Sequence, residues 1–219
     1  MRNVMAIGAH PDDIEFGCSG TLMRHINVGD NVIYVCMTNT ESKSGTTGVV
    51  LRTSDELFKE VKCATDRMGI KTLEFLDFKD LHVPFSFDSV SSLDRLIQKY
   101  KIDTIYTHWA GDSNQDHIST YKATMAAARY VRNVYCYEQI PIPRLTENEM
   151  TINYYIDISD YMEDKIEVSK CHKSQIKKYD KVGFDVPNRL RVLAEFRGIQ
   201  ANCEYAEGFH IIKKVENDC

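Results

Sequence analysis

The feature that most limits the fold is a repeat of pattern rather than of sequence. Short, continuous apolar runs alternate with stretches whose apolar residues recur at helical spacing. Runs at residues 3–8 and 31–38 are apolar rather than alternating, as strands buried on both faces are, and residues 71–76, 104–107 and 134–137 read as further strands. Between them, Leu22, His25 and Ile26 share a face within residues 17–28, and Gly29-Asp30 closes that helix. Leu57, Val61, Ala64 and Met68 form the next face, with Gly69 as its stop. Leu93, Leu96, Ile97 and Tyr100 mark a third helix, and Ile118, Tyr121, Met125 and Ala128 a fourth. Strands that alternate with helices over short connections imply crossovers and a mostly parallel, doubly wound α/β sheet.

The last third is less regular. Ile140-Pro141-Ile142-Pro143 reads as a stiff extended segment, because a residue before proline is pushed out of the helical region. Residues 154–158 alternate like a strand, 159–179 read as one helix, 188–203 as another, and 209–212 as a final strand. With no repeat, low-complexity tract or linker, the 219 residues are expected to form a single domain, 1–219.

Ligands of such sheets bind beyond the carboxyl ends of the strands. Two polar segments fall there. Ala9-His10-Pro11-Asp12-Asp13, with Glu15, follows the first run; Asp112-Ser113-Asn114-Gln115-Asp116-His117 follows the fourth. Alone, either is explained by a turn and a helix cap. Together they bring two imidazoles and several carboxylates to one end of the sheet. A catalytic zinc takes three ligands from such groups and keeps one position for water or substrate. His10, Asp13 and His117 are the candidate ligands, and Asp12 the candidate general base. Asp116 or Glu15 would fix the tautomer of a ligand histidine. His108 is read as packed or capping, with a pocket role as the alternative. The polar segments 38–48 and 140–148 are expected to shape specificity by position.

Other classes find no support. The net charge of −5 argues against a nucleic-acid surface, and the lysines of residues 170–181 read as a solvated helix face. There is no nucleophile elbow, phosphate-binding loop or dinucleotide fingerprint. No run approaches the ~20 apolar residues of a membrane span. The seven cysteines form no regular framework, so free, mostly buried thiols and a cytoplasmic protein are expected.

The paired segments resemble those of the PIG-L/LmbE-like zinc-dependent N-acetylglucosaminide deacetylases. Arg52 with Glu56, Ala64-x-x-x-Met68-Gly69, Leu76-Asp77-x-x-Asp80, Ser174-Gln175, Arg197-Gly198 and residues 205–209 extend the resemblance over nearly the whole chain. It implies a Rossmann-like three-layer sandwich with a mostly parallel sheet, LmbE-like. It also implies hydrolysis of an N-acetyl group from an amino sugar, free or conjugated, with release of acetate. The cofactor it implies is Zn2+, and other divalent ions suit the same ligands. His10, Asp13 and His117 resemble the metal ligands and Asp12 the base. Arg52 and Asp80 resemble substrate-holding residues. Asn114 stands where many members carry a histidine, and it can donate a hydrogen bond but not shuttle a proton. The expected partner is a small amino-sugar substrate, with a homo-oligomer left open. A deacylase of another amide and a catalytically silent sugar-binding module are the alternatives.

Overall fold

The computed structural model describes residues 1–39, 41–43, 47–140 and 149–216. In chain order the elements are β1 (Asn3–Gly8), α1 (Asp13–Asn27), β2 (Asn31–Thr38), β3 (Ser42–Lys43), β4 (Val50–Arg52), α2 (Ser54–Met68), β5 (Thr72–Phe78), α3 (Phe87–Tyr100), β6 (Thr104–Thr107), α4 (Gln115–Ala127), β7 (Asn133–Tyr137), β8 (Tyr154–Asp157), α5 (Met162–Ser169), α6 (Lys173–Asp180), α7 (Val186–Ala201) and β9 (Ala206–Lys213).

Seven strands form one sheet in the order β5-β2-β1-β6-β7-β9-β8. The first five are parallel; β9 runs antiparallel to β7, and β8 antiparallel to β9. Alternate residues of each strand face opposite layers. Val4, Ala6, Tyr34 and Tyr106 pack on one face with Leu22 of α1, Val61 of α2 and Val168 of α5. Met5, Ile7, Val35 and Ile105 pack on the other with Leu93 of α3 and Ala123 of α4. The result is a helix–sheet–helix sandwich in which β1 and β2 are buried on both sides, which is why they read as continuous apolar runs. β1 pairs with β2 on one side and β6 on the other, and the connections leave in opposite directions. The crevice beyond the carboxyl ends of β1 and β6 is therefore the topological switch point.

Several expectations need correction. The first helix begins at Asp13 rather than 17 and is kinked at Cys18, whose φ is −146°. A small hairpin, β3–β4, lies within and beyond the segment read as a polar loop. The helix expected over 159–179 is two helices. Its break at Lys170 to His172 contains no proline or glycine, so nothing local announces it. Tertiary contacts draw the chain inward there: His172 reaches Glu15 and Cys171 is bonded to Cys63. That disulfide, with Cα atoms 5.7 Å apart, also corrects the expectation of free thiols, and the argument from cysteines to a reducing compartment fails for this pair. Cys18, Cys36 and Cys136 are free and buried. Cys219, the stiff proline segment from 141 onward and most of the 140–148 specificity segment lie outside the described residues.

Candidate active site

The loop after β1 carries most of the chemistry. Pro11 and Asp12 turn the chain sharply into α1, and Asp12 takes φ 135°, a conformation costly for a residue with a side chain. The turn is held in place. The Arg52 guanidinium donates to the Pro11 carbonyl at 3.0 Å, and the Phe16 amide donates to the Asp12 carbonyl at 2.9 Å. Asp12 makes no side-chain cap bond to α1, so its carboxylate is left to line the pocket. Burial, then the charge of Asp13, raise its pKa to about 6, against the pull of Arg52 and His172.

His10, Asp13 and His117 converge from two ends of the chain. His10 Nδ1 is 3.3 Å from His117 Nε2 and 3.5 Å from Asp13 Oδ2, and His117 Nε2 is 3.3 Å from Asp13 Oδ1. Bonds of ~2.0–2.1 Å at tetrahedral angles place ligand atoms about 3.3–3.4 Å apart, so these separations suit one small divalent ion. The outer hydrogen bonds agree. His117 donates from Nδ1 to Asp112 Oδ2 at 2.7 Å. His10 donates from Nε2 to Asp116 Oδ2 at 3.0 Å. With each outer nitrogen a donor, the two inner nitrogens of the neutral rings present lone pairs to each other. Only a proton or a cation between them relieves that. Burial disfavours a charged His117, but Asp13 and Asp112 outweigh it and hold the ring at about 9. Burial likewise opposes charge on His10, yet Asp116, Asp13 and Asp80 raise it well above the ordinary value. The donor set thus fits a metal ion.

Around this triad the sequence expectations divide. Asp116 binds His10 and also accepts the Val83 amide at 3.1 Å. Glu15 does not touch either candidate ligand. It is fully buried, within 3.0 Å of His172 Nε2, and accepts from the Tyr34 hydroxyl at 3.3 Å. Asp80 lies 3.3 Å from His10 Nε2. Asn114 caps α4, its Oδ1 accepting the Asp116 amide at 2.8 Å, and lines the pocket. Arg52 lines it too, with Glu60 at 3.5 Å behind it. The cavity has a volume of about 330 Å³.

Three further residues received no firm role from sequence. Asp112 stood in the second polar segment, five residues before His117, and that proximity was its only signal. Gln139 donates to Asp13 Oδ1 at 3.0 Å from just beyond β7, with no sequence signal at all. His108 is fully buried and its Nε2 accepts the Ala9 amide at 2.9 Å. Burial, then the neighbouring charge of His117, lower its pKa to about 4, so the ring is a neutral packing and loop-holding group. The stacked His108 and His117 rings, 4.0 Å between centroids, fix the plane of His117.

A three-layer sheet with a histidine–aspartate cluster at its switch point sets the candidate site where ligands of α/β sheets bind. The family model described as GlcNAc-PI de-N-acetylase, PIG-L, matches residues 5–128, and the chain belongs to that family. It is 31% identical over 179 residues to the uncharacterized deacetylase YaiS of Escherichia coli (strain K12), covering 79% of this chain and 91% of that protein. It is 25% identical over 231 residues to the diacetylchitobiose deacetylase of Thermococcus kodakarensis, covering 98% of this chain and 85% of the relative. Among solved structures it resembles the 4-carboxy-2-hydroxymuconate hydratase GalB of Pseudomonas putida KT2440, with a TM-score of 0.78 and 19% identity over 100% of this chain and 99% of that one. The last likeness is one of fold alone. Among the described residues no helix is long and apolar enough to cross a membrane.

Proposed function

We propose that the chain removes the N-acetyl group of an N-acetylated amino sugar, free or conjugated, using a divalent ion, zinc foremost, held by His10, Asp13 and His117. The observation that carries the reading is the convergence of two imidazole lone pairs and a carboxylate beside Asp12, a buried carboxylate not spent on capping its helix. The Thermococcus kodakarensis relative, named for deacetylation of diacetylchitobiose, supports an amino-sugar substrate.

When bound, the ion would act as a Lewis acid and make a water molecule nucleophilic near neutral pH. The protein's own groups do the rest. Asp12 takes the proton of the attacking water and returns it to the departing amine, a role suited to a carboxyl raised to about 6. Asp112 and Asp116 hold the two ligand rings in the tautomers that face inward. Asn114 donates its amide hydrogen to the acyl oxygen as charge develops there; being neutral, it delivers no proton. Arg52 and Asp80 engage the hydroxyls of the sugar, and Arg52 also steadies the Pro11–Asp12 turn. The products are acetate and a free amine.

The test is acetate release by metal-stripped protein, with and without added zinc, over a panel of N-acetylglucosamine derivatives. Zinc-dependent release that Asp12→Asn eliminates supports the reading. Stoichiometric zinc binding with no release from any N-acetyl sugar, but release from a longer N-acyl series, would move the activity to another amide.

A further inference from the structure

Ile140 belongs to two surroundings at once. It lines the catalytic pocket, and it is part of an apolar cluster with Phe16 of α1, Met162 and Ile166 of α5 and Leu190 of α7. Its neighbours on the chain explain why the two meet. Gln139, the residue before it, donates to Asp13 Oδ1 at 3.0 Å. Adjacent Cα atoms stand about 3.8 Å apart, so Ile140 is held close to the candidate ligands. Phe16 follows Asp13 by three residues in α1, and such residues are neighbours on a helix surface. One turn of helix therefore carries Asp13 at the pocket and Phe16 in the cluster.

The apolar residues of the pocket differ in depth. Leu51 is 46% exposed and Leu81 41%, so both stand at the mouth, whereas Ile140 is 4% exposed. Among the described residues that line the pocket, it is the one buried apolar side chain. An N-acetyl group has one apolar part, its methyl, bonded directly to the carbonyl carbon that is attacked. A substrate whose carbonyl reaches the triad brings that methyl with it, into the depth of the pocket. The hydroxyls of the sugar belong with the polar groups and with water, because leaving them on an apolar wall without a partner is costly. Behind Ile140 the buried members of the cluster are all apolar.

We propose that Ile140 is the floor of the acyl subsite and sets the length of the acyl group removed. It receives the acetyl methyl, and the cluster behind it leaves no room for further methylenes. A close-packed interior does not yield that room without cost. The inference rests on the deacetylase reading for the identity of the bound group, and it goes beyond it in naming the residue that selects acetyl over longer chains. Shortening Ile140 removes the stop. The freed volume adjoins apolar side chains, which suit an acyl chain and offer nothing to a hydroxyl.

The experiment compares the wild-type enzyme with Ile140→Val and Ile140→Ala, and with Leu51→Ala as a change at the mouth. Ile140→Val removes a single methylene and keeps the test open if Ile140→Ala does not fold. The substrates are the methyl glycosides of N-acetyl-, N-propionyl- and N-butyrylglucosamine, followed by release of the free amine. In parallel, calorimetry on the zinc-loaded proteins follows acetohydroxamate and butyrohydroxamate, which bring the same acyl chains to the ion without a sugar. The wild-type protein is expected to prefer acetyl over butyryl by about tenfold or more in both measurements. Ile140→Ala should shift that ratio about tenfold toward butyryl, Ile140→Val less and in the same direction, and Leu51→Ala not at all. An unchanged ratio in the folded Ile140 variants overturns the proposal, makes Ile140 a packing residue and leaves the deacetylase reading intact. A ratio that moves only in Leu51→Ala puts the acyl chain at the mouth and overturns it as well. No turnover of any sugar by the wild-type protein, with hydroxamate selectivity that shifts in the Ile140 variants, keeps the acyl subsite and counts against the sugar. Failure of the zinc-loaded wild-type protein to bind either hydroxamate overturns the subsite.

Discussion

Asp112 Oδ2 accepts the Nδ1 proton of His117 at 2.7 Å, and this bond decides which nitrogen of His117 faces His10 and Asp13. Both partners are buried, so water does not replace the carboxylate easily. Asp112→Ala should therefore weaken zinc binding about 10–100-fold, the usual cost of losing an outer hydrogen bond to a ligand histidine. Competition against a chromogenic chelator measures it. Wild-type affinity in that variant would remove Asp112 from the site.

Asp12→Asn should keep zinc and lose turnover by about 10²–10⁴-fold, the span of general acid–base catalysis. The wild-type pH–rate profile should show an acid limb at or below about 6, because burial and Asp13 raise the carboxyl to that value and a bound cation pulls it down. The sign is fixed by role: a base works deprotonated, so the rate rises with pH through the limb. Full activity in Asp12→Asn would end its assignment as the base.

Metal binding should release protons at neutral pH. Without an ion, His117 is held at about 9, so a proton sits between the two inner nitrogens at pH 7. Ligation requires both rings to be neutral. Apparent zinc affinity should therefore climb as pH rises from 6 toward 9. Calorimetry in buffers of different ionisation enthalpy should show net proton release on zinc binding near pH 7. Proton-neutral binding would mean that the rings are not the ligands.

Much of this was legible in the sequence, for reasons that can be traced. β1, β2 and β6 were readable because both of their faces are buried, which forces unbroken apolar runs such as Val4 to Ile7. The two polar segments were readable because each follows a strand within a few residues. What escaped depends on distant partners. Gln139 reaches Asp13 across 126 residues. Glu15 looked like a partner for a ligand histidine but pairs with His172, whose approach breaks the expected long helix. The Cys63–Cys171 bond spans 108 residues, and no spacing rule connects them.

Gly17 has a packing reason that bears on the site. A Cβ there would lie 2.4 Å from Cδ2 of Tyr137 and 2.9 Å from two other ring atoms. That ring cannot yield freely, because its hydroxyl donates to the Ile7 carbonyl at 2.9 Å and lies 3.2 Å from His108 Nε2. Gly17→Ala should destabilise the fold by about 1–3 kcal/mol, as overpacking does. A urea unfolding curve tests it, and an unchanged midpoint would mean that α1 shifts without cost.

The Cys63–Cys171 disulfide joins α2 to the turn between α5 and α6, the same turn that delivers His172 to Glu15. Closing a loop of this length restricts the unfolded chain, and such bridges contribute about 2–4 kcal/mol. Cys63→Ser should lower stability by that amount in oxidising buffer and by little in reductant, where the wild-type bond is also open. It should also loosen the pairing of Ser174 with Glu60, whose carboxylate faces Arg52, and so raise the Michaelis constant more than it lowers kcat. Equal stability of Cys63→Ser and wild type in oxidising buffer, with the bond verified by mass spectrometry, would show that the turn is held by Glu15 and Glu60 alone.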